Sequence, residues 1–396
     1  MKPIVEFKNI TKSYPGVIAN KNISFSIEPN SIHAILGENG AGKSTLVKIL
    51  YGHVNQDQGN IYIDSKNVKI TSPSVAKKLG INMVFQHFSL FESLTVAENL
   101  ILGIDKKLSM SELIEKSQSI SSKYGFNLNL NSPISSLSVS QRQSVEIVRS
   151  LLNDPKILIL DEPTSVLTPD EIKNLFKIIS NLVQDNLTVI FISHKLEEII
   201  NLSNRVTILR GGEVVDTLIT KNENPDSLGL KMLGYKIAKL KRNKVEDNSK
   251  VLFSLNNVST FNQDPFSVNL NNINLSLKTG QILGIAGVAG NGQNELMEIF
   301  LNENNDNFKG DVIYKKQNIN QLSTQDRKRL SISYVTEQRL GHSAVPEMSL
   351  TENVLLSMSH NKKFIKNDLI NFKEISNHTD KIIKKEMFLI NLIFLK

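Results

Sequence analysis

Residues 23–50, ISFSIEPNSIHAILGENGAGKSTLVKIL, return 250 positions later as INLSLKTGQILGIAGVAGNGQNELMEIF from Ile273. A period this long repeats a whole domain, so the chain is a duplication and must build the same fold twice. Later landmarks keep nearly the same offset: MVFQ ending at Gln86 answers to YVTE ending at Glu337, and LTVAEN from Leu94 to LTEN from Leu350. The expected division is a first domain at 1–235, a linker at 236–250 that carries the densest basic stretch (Lys236 to Lys244), and a second domain at 251–396. A length of 396 residues fits two cores.

In each copy short alternating strands lead to an apolar strand, a glycine-rich turn and a helix, as in His33 to Leu36, then Gly37, then Leu46 to Leu50. Lys156 to Leu160 and Thr188 to Ile192 read as further buried strands, with helices at Ser140 to Leu152 and Asp170 to Val183. This alternation predicts an α/β fold with a mostly parallel sheet.

Gly37-Glu38-Asn39-Gly40-Ala41-Gly42-Lys43-Ser44 fits the phosphate-loop pattern. Glycines let backbone N–H groups turn toward a β-phosphate, Lys43 adds a positive charge, and Ser44 supplies a hydroxyl for Mg2+. Lys156 to Leu160 ends in Asp161 and Glu162, which places two carboxylates at the C-terminal sheet edge, where open sheets bind ligands. Asp161 is expected to hold the metal through water, and Glu162 to polarise an attacking water. Thr188 to Ser193 delivers His194 to the same edge, for contact with a γ-phosphate or for a purely structural role.

Composition removes several other chemistries. Without cysteine there are no disulfides, thiol catalysis, Cys-ligated zinc or iron–sulfur clusters. No apolar run approaches the roughly 18 to 20 residues of a membrane-spanning helix, and the N-terminus lacks a signal-peptide pattern. The net charge of +7 is dispersed among acidic residues rather than gathered into a nucleic-acid patch.

One more segment, Leu137-Ser138-Val139-Ser140-Gln141, resembles the LSGGQ signature of the ATP-binding cassette (ABC) family, and the order of phosphate loop, Gln86, signature, carboxylate strand and His194 follows that family over nearly the whole chain. The resemblance implies tandem P-loop NTPase domains, each with a mostly parallel core sheet, an antiparallel β subdomain and a helical subdomain. It implies ATP and Mg2+ as cofactors. Tyr14 would stack on adenine, or else stand as a surface tyrosine. Gly37, Asn39, Gly40, Gly42, Lys43, Ser44 and Thr45 would hold the phosphates, while Ser44, Gln86 and Asp161 would serve the metal. Glu162, His194 and Gln86 would act in hydrolysis, and Ser138 and Gln141 would cover the γ-phosphate across a dimer. Two departures stand out: Ser140 replaces the second signature glycine, where a Cβ is expected to weaken phosphate approach, and Thr168 stands where aspartate is usual.

The second loop, Gly287 to Asn294, keeps every glycine, with Gln293 for the lysine and Asn294 for the metal-binding hydroxyl. Such a loop is a cradle without its cation, or only a turn. Degenerate second loops, together with the segments around Glu337 and Pro346-Glu347-Met348-Ser349-Leu350, resemble tandem sugar and nucleoside importers. The later offset of about 254 places a second signature near position 392, where the sequence instead reads MFLINLIFLK, and a truncated or frame-shifted end is the expectation there.

The resemblance therefore predicts an ATPase subunit at the cytoplasmic face of the membrane, peripheral, serving two permease subunits and an extracytoplasmic substrate-binding protein, with no nucleic acid. Pairing of two chains is an open alternative for completing the site. The competing expectations are an ATP-binding remnant without transport activity and a soluble ATPase acting on ribosomes or nucleic acid.

Overall fold

The computed structural model describes residues 2–86, 88–104, 109–235, 250–261, 268–287, 290–302, 308–335, 344–359, 361, 363–366 and 369–385. They fall into two compact units, one within residues 1–239 and one within 240–391. Most of the expected linker (236–249), the Val288-Ala289 pair, Glu337 with its neighbours and the apolar tail lie outside the described residues.

Chain order in the first unit is β1 (Val5–Tyr14), β2 (Val17–Ile27), β3 (Ile32–Leu36), α1 (Lys43–Leu50), β4 (Gln58–Ile63), β5 (Lys66–Val68), α2 (Pro73–Lys78), β6 (Ile81–Val84), α3 (Val96–Leu102), α4 (Met110–Tyr124), α5 (Val139–Leu151), β7 (Ile157–Asp161), α6 (Pro169–Gln184), β8 (Thr188–Ser193), α7 (Leu196–Leu202), β9 (Arg205–Arg210), β10 (Glu213–Ile219) and α8 (Pro225–Leu233). A four-stranded antiparallel sheet runs β2-β1-β4-β5, and a six-stranded sheet runs β10-β9-β3-β8-β7-β6. Within the latter every pair is parallel except β9 with the edge strand β10.

Strands β3, β6, β7 and β8 are buried along their whole length, because the sheet is covered on both faces. Alternate residues serve opposite sides. Leu158, Leu160, Val189 and Phe191 pack with apolar residues of α5 and α6, whereas Ile157, Ile159, Ile190 and Ile192 pack with α1 and the antiparallel sheet. Parallel pairing sets Leu36 beside Ser193 and Asp161 beside Ile192, so three loops leave the sheet together at one edge.

The second unit contains β11 (Val251–Thr260), β12 (Ile273–Lys278), α9 (Gln293–Leu301), β13 (Phe308–Tyr314), β14 (Gln317–Asn318), α10 (Thr324–Arg329), α11 (Leu350–Ser357), β15 (Ile365–Lys366), β16 (Leu369–Ile370) and α12 (Phe372–Lys385). Its β12-β11-β13-β14 sheet repeats the β2-β1-β4-β5 order. One expectation fails: the apolar segment before the second glycine loop forms no strand, and Ile282 and Ile285 are 96% and 52% exposed. A strand exists only with a hydrogen-bonded neighbour. In the first unit β3 is paired by β8 and β9, whereas among the described residues no strand pairs with 281–287.

Candidate functional site

The phosphate loop is held open by backbone geometry that only glycine adopts easily. Gly40 and Gly42 have φ of 83° and 94°, and a Cβ on Gly42 would lie 2.2 Å from the Ala19 carbonyl oxygen. Gly42 caps α1 without a side-chain bond to its first-turn N–H groups, so these point at whatever anion enters. Lys43 is buried, and its Nζ donates to the carbonyls of Gly37 at 2.7 Å and Glu38 at 3.0 Å. Burial lowers its ammonium pKa, against the pull of the Glu162, Asp161 and Glu38 carboxylates. A desolvated cation bonded only to neutral carbonyls is placed to gain from a phosphate. Ser44 and Thr45, half-buried, open α1, and Asn39 is exposed on the loop.

Asp161 ends β7 almost fully buried, with Oδ1 lacking any partner. Burial pushes its carboxyl up from 3.8 to about 6, and neighbouring Glu162 adds to the rise while Lys43 and Lys48 oppose it. Asp161, Ser44 and Gln86 line one cleft of about 500 Å³. An orphaned carboxylate oxygen, a hydroxyl and an amide are hard oxygen donors suited to Mg2+, which keeps much of its own water. Among the described residues no three His, Cys, Asp or Glu gather into a transition-metal site.

Glu162 sits at φ 47°, a left-handed conformation costly for a non-glycine residue, with its N–H bonded to the Ile192 carbonyl at 3.0 Å. The turn aims its carboxylate between two partners. Gln86 Nε2 donates to Glu162 Oε2 at 3.1 Å, and His194 Nδ1 lies 3.0 Å from Glu162 Oε1. All three residues expected to act in hydrolysis therefore meet in one hydrogen-bonded group.

Ser138 and Gln141 lie elsewhere. Ser138 caps α5, accepting from the Gln141 N–H at 3.3 Å while Gln141 Oε1 accepts from the Ser138 N–H at 3.0 Å. Both line a separate cleft of about 380 Å³ with Ser140 and Glu171. Tyr14, 42% exposed, ends β1 in register with Val17, on the hairpin whose Ala19 abuts Gly42. Sequence reasoning missed Asn20, fully buried, whose Nδ2 donates to the Gly42 carbonyl at 3.1 Å. It also missed Lys48, which lines the Asp161 cleft and was legible as the residue one helical turn and a half beyond the loop lysine.

In the second unit Gly290 and Gly292 repeat the φ values, at 84° and 98°, and α9 starts at Gln293. Gln293 Oε1 accepts from the Asn291 N–H at 3.2 Å, so the side chain turns back on its own loop.

The family model for ABC transporters matches residues 20–165 and again 270–388. A glucose import ATP-binding protein of Haloferax volcanii is 33% identical, over 97% of this chain and 75% of its own length. A guanosine import ATP-binding protein of Bacillus subtilis is 36% identical, over 92% of this chain and 72% of its own length. Among solved structures, a nucleotide-free ATP-binding cassette from an ABC transporter superposes with a TM-score of 0.54 at 24% identity, covering 59% of this chain and 98% of that one. Two matches of one family model on the two repeats, and relatives above 30% identity along almost the whole length, leave one assignment: the chain belongs to the ABC transporter family.

Proposed function

We propose that this chain is the ATP-binding and hydrolysing subunit of an importer for nucleosides or simple sugars, with 1–235 and 251–396 as its cassettes and 236–250 between them. It works at the cytoplasmic face of the membrane with two permease subunits and an extracytoplasmic substrate-binding protein. Among the described residues no helix is long and apolar enough to cross a membrane, so the pathway itself belongs to partners. The import names of the relatives support the substrate class, and they divide between glucose and guanosine.

The phosphates of ATP lie on the N–H groups of the loop from Gly37 to Thr45, and Lys43 exchanges its two carbonyl bonds for phosphate oxygens. Ser44, Gln86 and, through water, Asp161 would hold Mg2+, which would supply positive charge against the phosphates. Glu162 accepts a proton from the attacking water as its oxygen bonds to the γ-phosphorus and ADP departs. His194 and Gln86 hold the carboxylate of Glu162 from both sides, so it does not rotate away from that water.

The observation that carries this reading is the Gln86–Glu162–His194 group standing beside the orphaned Asp161 oxygen. Glu162→Gln tests it: the amide keeps the shape and loses the base. Nucleotide titration should show MgATP binding retained, with phosphate release lowered about 10²- to 10⁴-fold. Release at the unmodified rate would remove Glu162 from the reaction.

A further inference from the structure

The ladder between β7 and β8 ends where the Glu162 N–H donates to the Ile192 carbonyl at 3.0 Å, and among the described residues no backbone bond joins the two loops beyond it. Glu198, in the first turn of α7, takes over there. Its Oε2 accepts from Thr164 Oγ1 at 2.7 Å and from Ser193 Oγ at 3.1 Å. Thr164 follows Glu162 by two residues and Ser193 precedes His194, so one carboxylate oxygen holds both loops. Thr164 and Ser193 are each 2% exposed and Glu198 is 7% exposed, which keeps the two hydroxyl bonds out of water. Glu198 Oε1 pairs with Lys195 Nζ at 3.0 Å, and that ammonium, partly in water, also donates to the Thr164 carbonyl at 3.1 Å.

Burying a carboxylate is costly unless its lone pairs are met, and here the groups that meet them belong to the loops that carry Glu162 and His194. We propose that Glu198, Thr164 and Ser193 are positioning residues that set the separation of Glu162 and His194. None of the three lines the cleft of Ser44, Gln86 and Asp161, so they act through Glu162 and His194 rather than on ATP. His194 Nδ1 lies 3.0 Å from Glu162 Oε1. A bond of that length is lost when either loop shifts by about 1 Å, a displacement that can cost about 10²-fold in rate. The inference rests on the proposed hydrolysis, because it takes Glu162 as the base.

The test compares Thr164→Val with Thr164→Ser in the full chain at one fixed protein concentration, reading steady phosphate release beside the affinity and stoichiometry of MgATP binding. Valine keeps the shape of threonine and removes the donor, whereas serine keeps the donor. Thr164→Val should lower release about 10-fold or more and leave affinity and stoichiometry unchanged, while Thr164→Ser should stay within about twofold of the unmodified chain. In a Glu162→Gln background Thr164→Val should lower release no further, because the base that it places is gone. Ser193→Ala, which removes the other hydroxyl, replaces Thr164→Val if that variant does not fold. Release from Thr164→Val at the unmodified rate overturns the inference. So does a further fall in the Glu162→Gln background, or a loss of release matched by an equal loss of ATP-binding sites, the mark of a merely structural bond. Failure of Glu162→Gln to slow release, or no release from the unmodified chain, would instead remove the proposed hydrolysis.

Discussion

Lys43 and Gln293 occupy the same position after glycines of nearly the same conformation, Gly40 and Gly42 at 83° and 94° against Gly290 and Gly292 at 84° and 98°. The difference between them is thus chemical rather than conformational. Lys43 brings a buried cation, whereas Gln293 bonds a backbone N–H that the cradle would otherwise present. Lys43→Ala should weaken MgATP binding about 10-fold or more, a loss on the order of a charged hydrogen bond, and Gln293→Ala should change it little. Equal losses in a nucleotide titration would contradict the assignment. Asp161 carries a second prediction. Its carboxyl rises from 3.8 to about 6 on burial, so between those values the native metal-free chain holds a proton that the unfolded chain has released. Stability therefore falls as pH rises through that window, by about 3 kcal/mol in all at ~1.36 kcal/mol per unit. Asp161→Asn should remove this fall and raise metal-free stability by about 1–3 kcal/mol near neutral pH, while abolishing the effect of Mg2+ on nucleotide binding. Denaturant melts across pH 4 to 8 check the first part. Asp161, Glu162 and His194 were legible because apolar strands point at them, but nothing local marks Asn20 or Glu198, which reach Gly42 and Thr164 across 22 and 34 residues.

The helices read at Ser140 to Leu152 and Asp170 to Val183 form at Val139–Leu151 and Pro169–Gln184, and the cap of each is written in the residues beside its start. Ser138 with Gln141 starts α5, and Thr168 with Glu171 starts α6, each by a reciprocal pair of bonds. Thr168, noted as a departure from aspartate, thus does the local work of a cap. The segment from Gln281 to Ala286 was misread for the opposite reason: a strand is made by its neighbours, and apolar content alone does not supply them. Helix α9, which follows that segment, is secured from its other end. Arg327, 1% exposed, donates from Nη1 to the Ile299 and Phe300 carbonyls at 2.6 and 2.9 Å and from Nη2 to the Ile319 carbonyl at 2.8 Å. Burial lowers its pKa to about 10, still far enough above neutrality to leave it charged at the helix C-terminus, where a cation is favourable. Arg327→Leu strands three buried carbonyls, and at about 1–3 kcal/mol for each unmet group it should destabilise the second unit by more than 2 kcal/mol. Hydrogen exchange within α9 should rise accordingly while α5 is unaffected. Unchanged protection of α9 would mean that Arg327 merely fills space.

At the scale of the whole molecule the proposed nucleotide site raises the question of which serine would cover ATP at Lys43. Within the first unit Ser138 and Gln141 line a cleft apart from the one that holds Ser44, Gln86 and Asp161, which in the proposed reading leaves the nucleotide of a cassette to be covered from elsewhere. The duplication was legible from the offset alone and the covering residues from the signature segment, but which copy completes a site is a property of paired surfaces that neither fixes. The position that the offset assigns to a second signature, near residue 392, lies outside the described residues. The covering serine then comes either from the second cassette of the same chain or from the first cassette of another copy. These two sources differ in reaction order. If two copies pair so that Ser138 of each covers Lys43 of the other, the active species is a dimer, and below its dissociation constant the fraction paired grows in proportion to total protein. Phosphate release per chain should then rise with concentration across a wide dilution series and level off once pairing is complete. At fixed total protein, Glu162→Gln chains mixed into the active protein should lower release in proportion to their share if the two sites of a dimer fire independently, and by more if they fire together. Rapid release per chain that stays constant on dilution would show that one chain builds a complete site, and the pairing of first cassettes would be wrong.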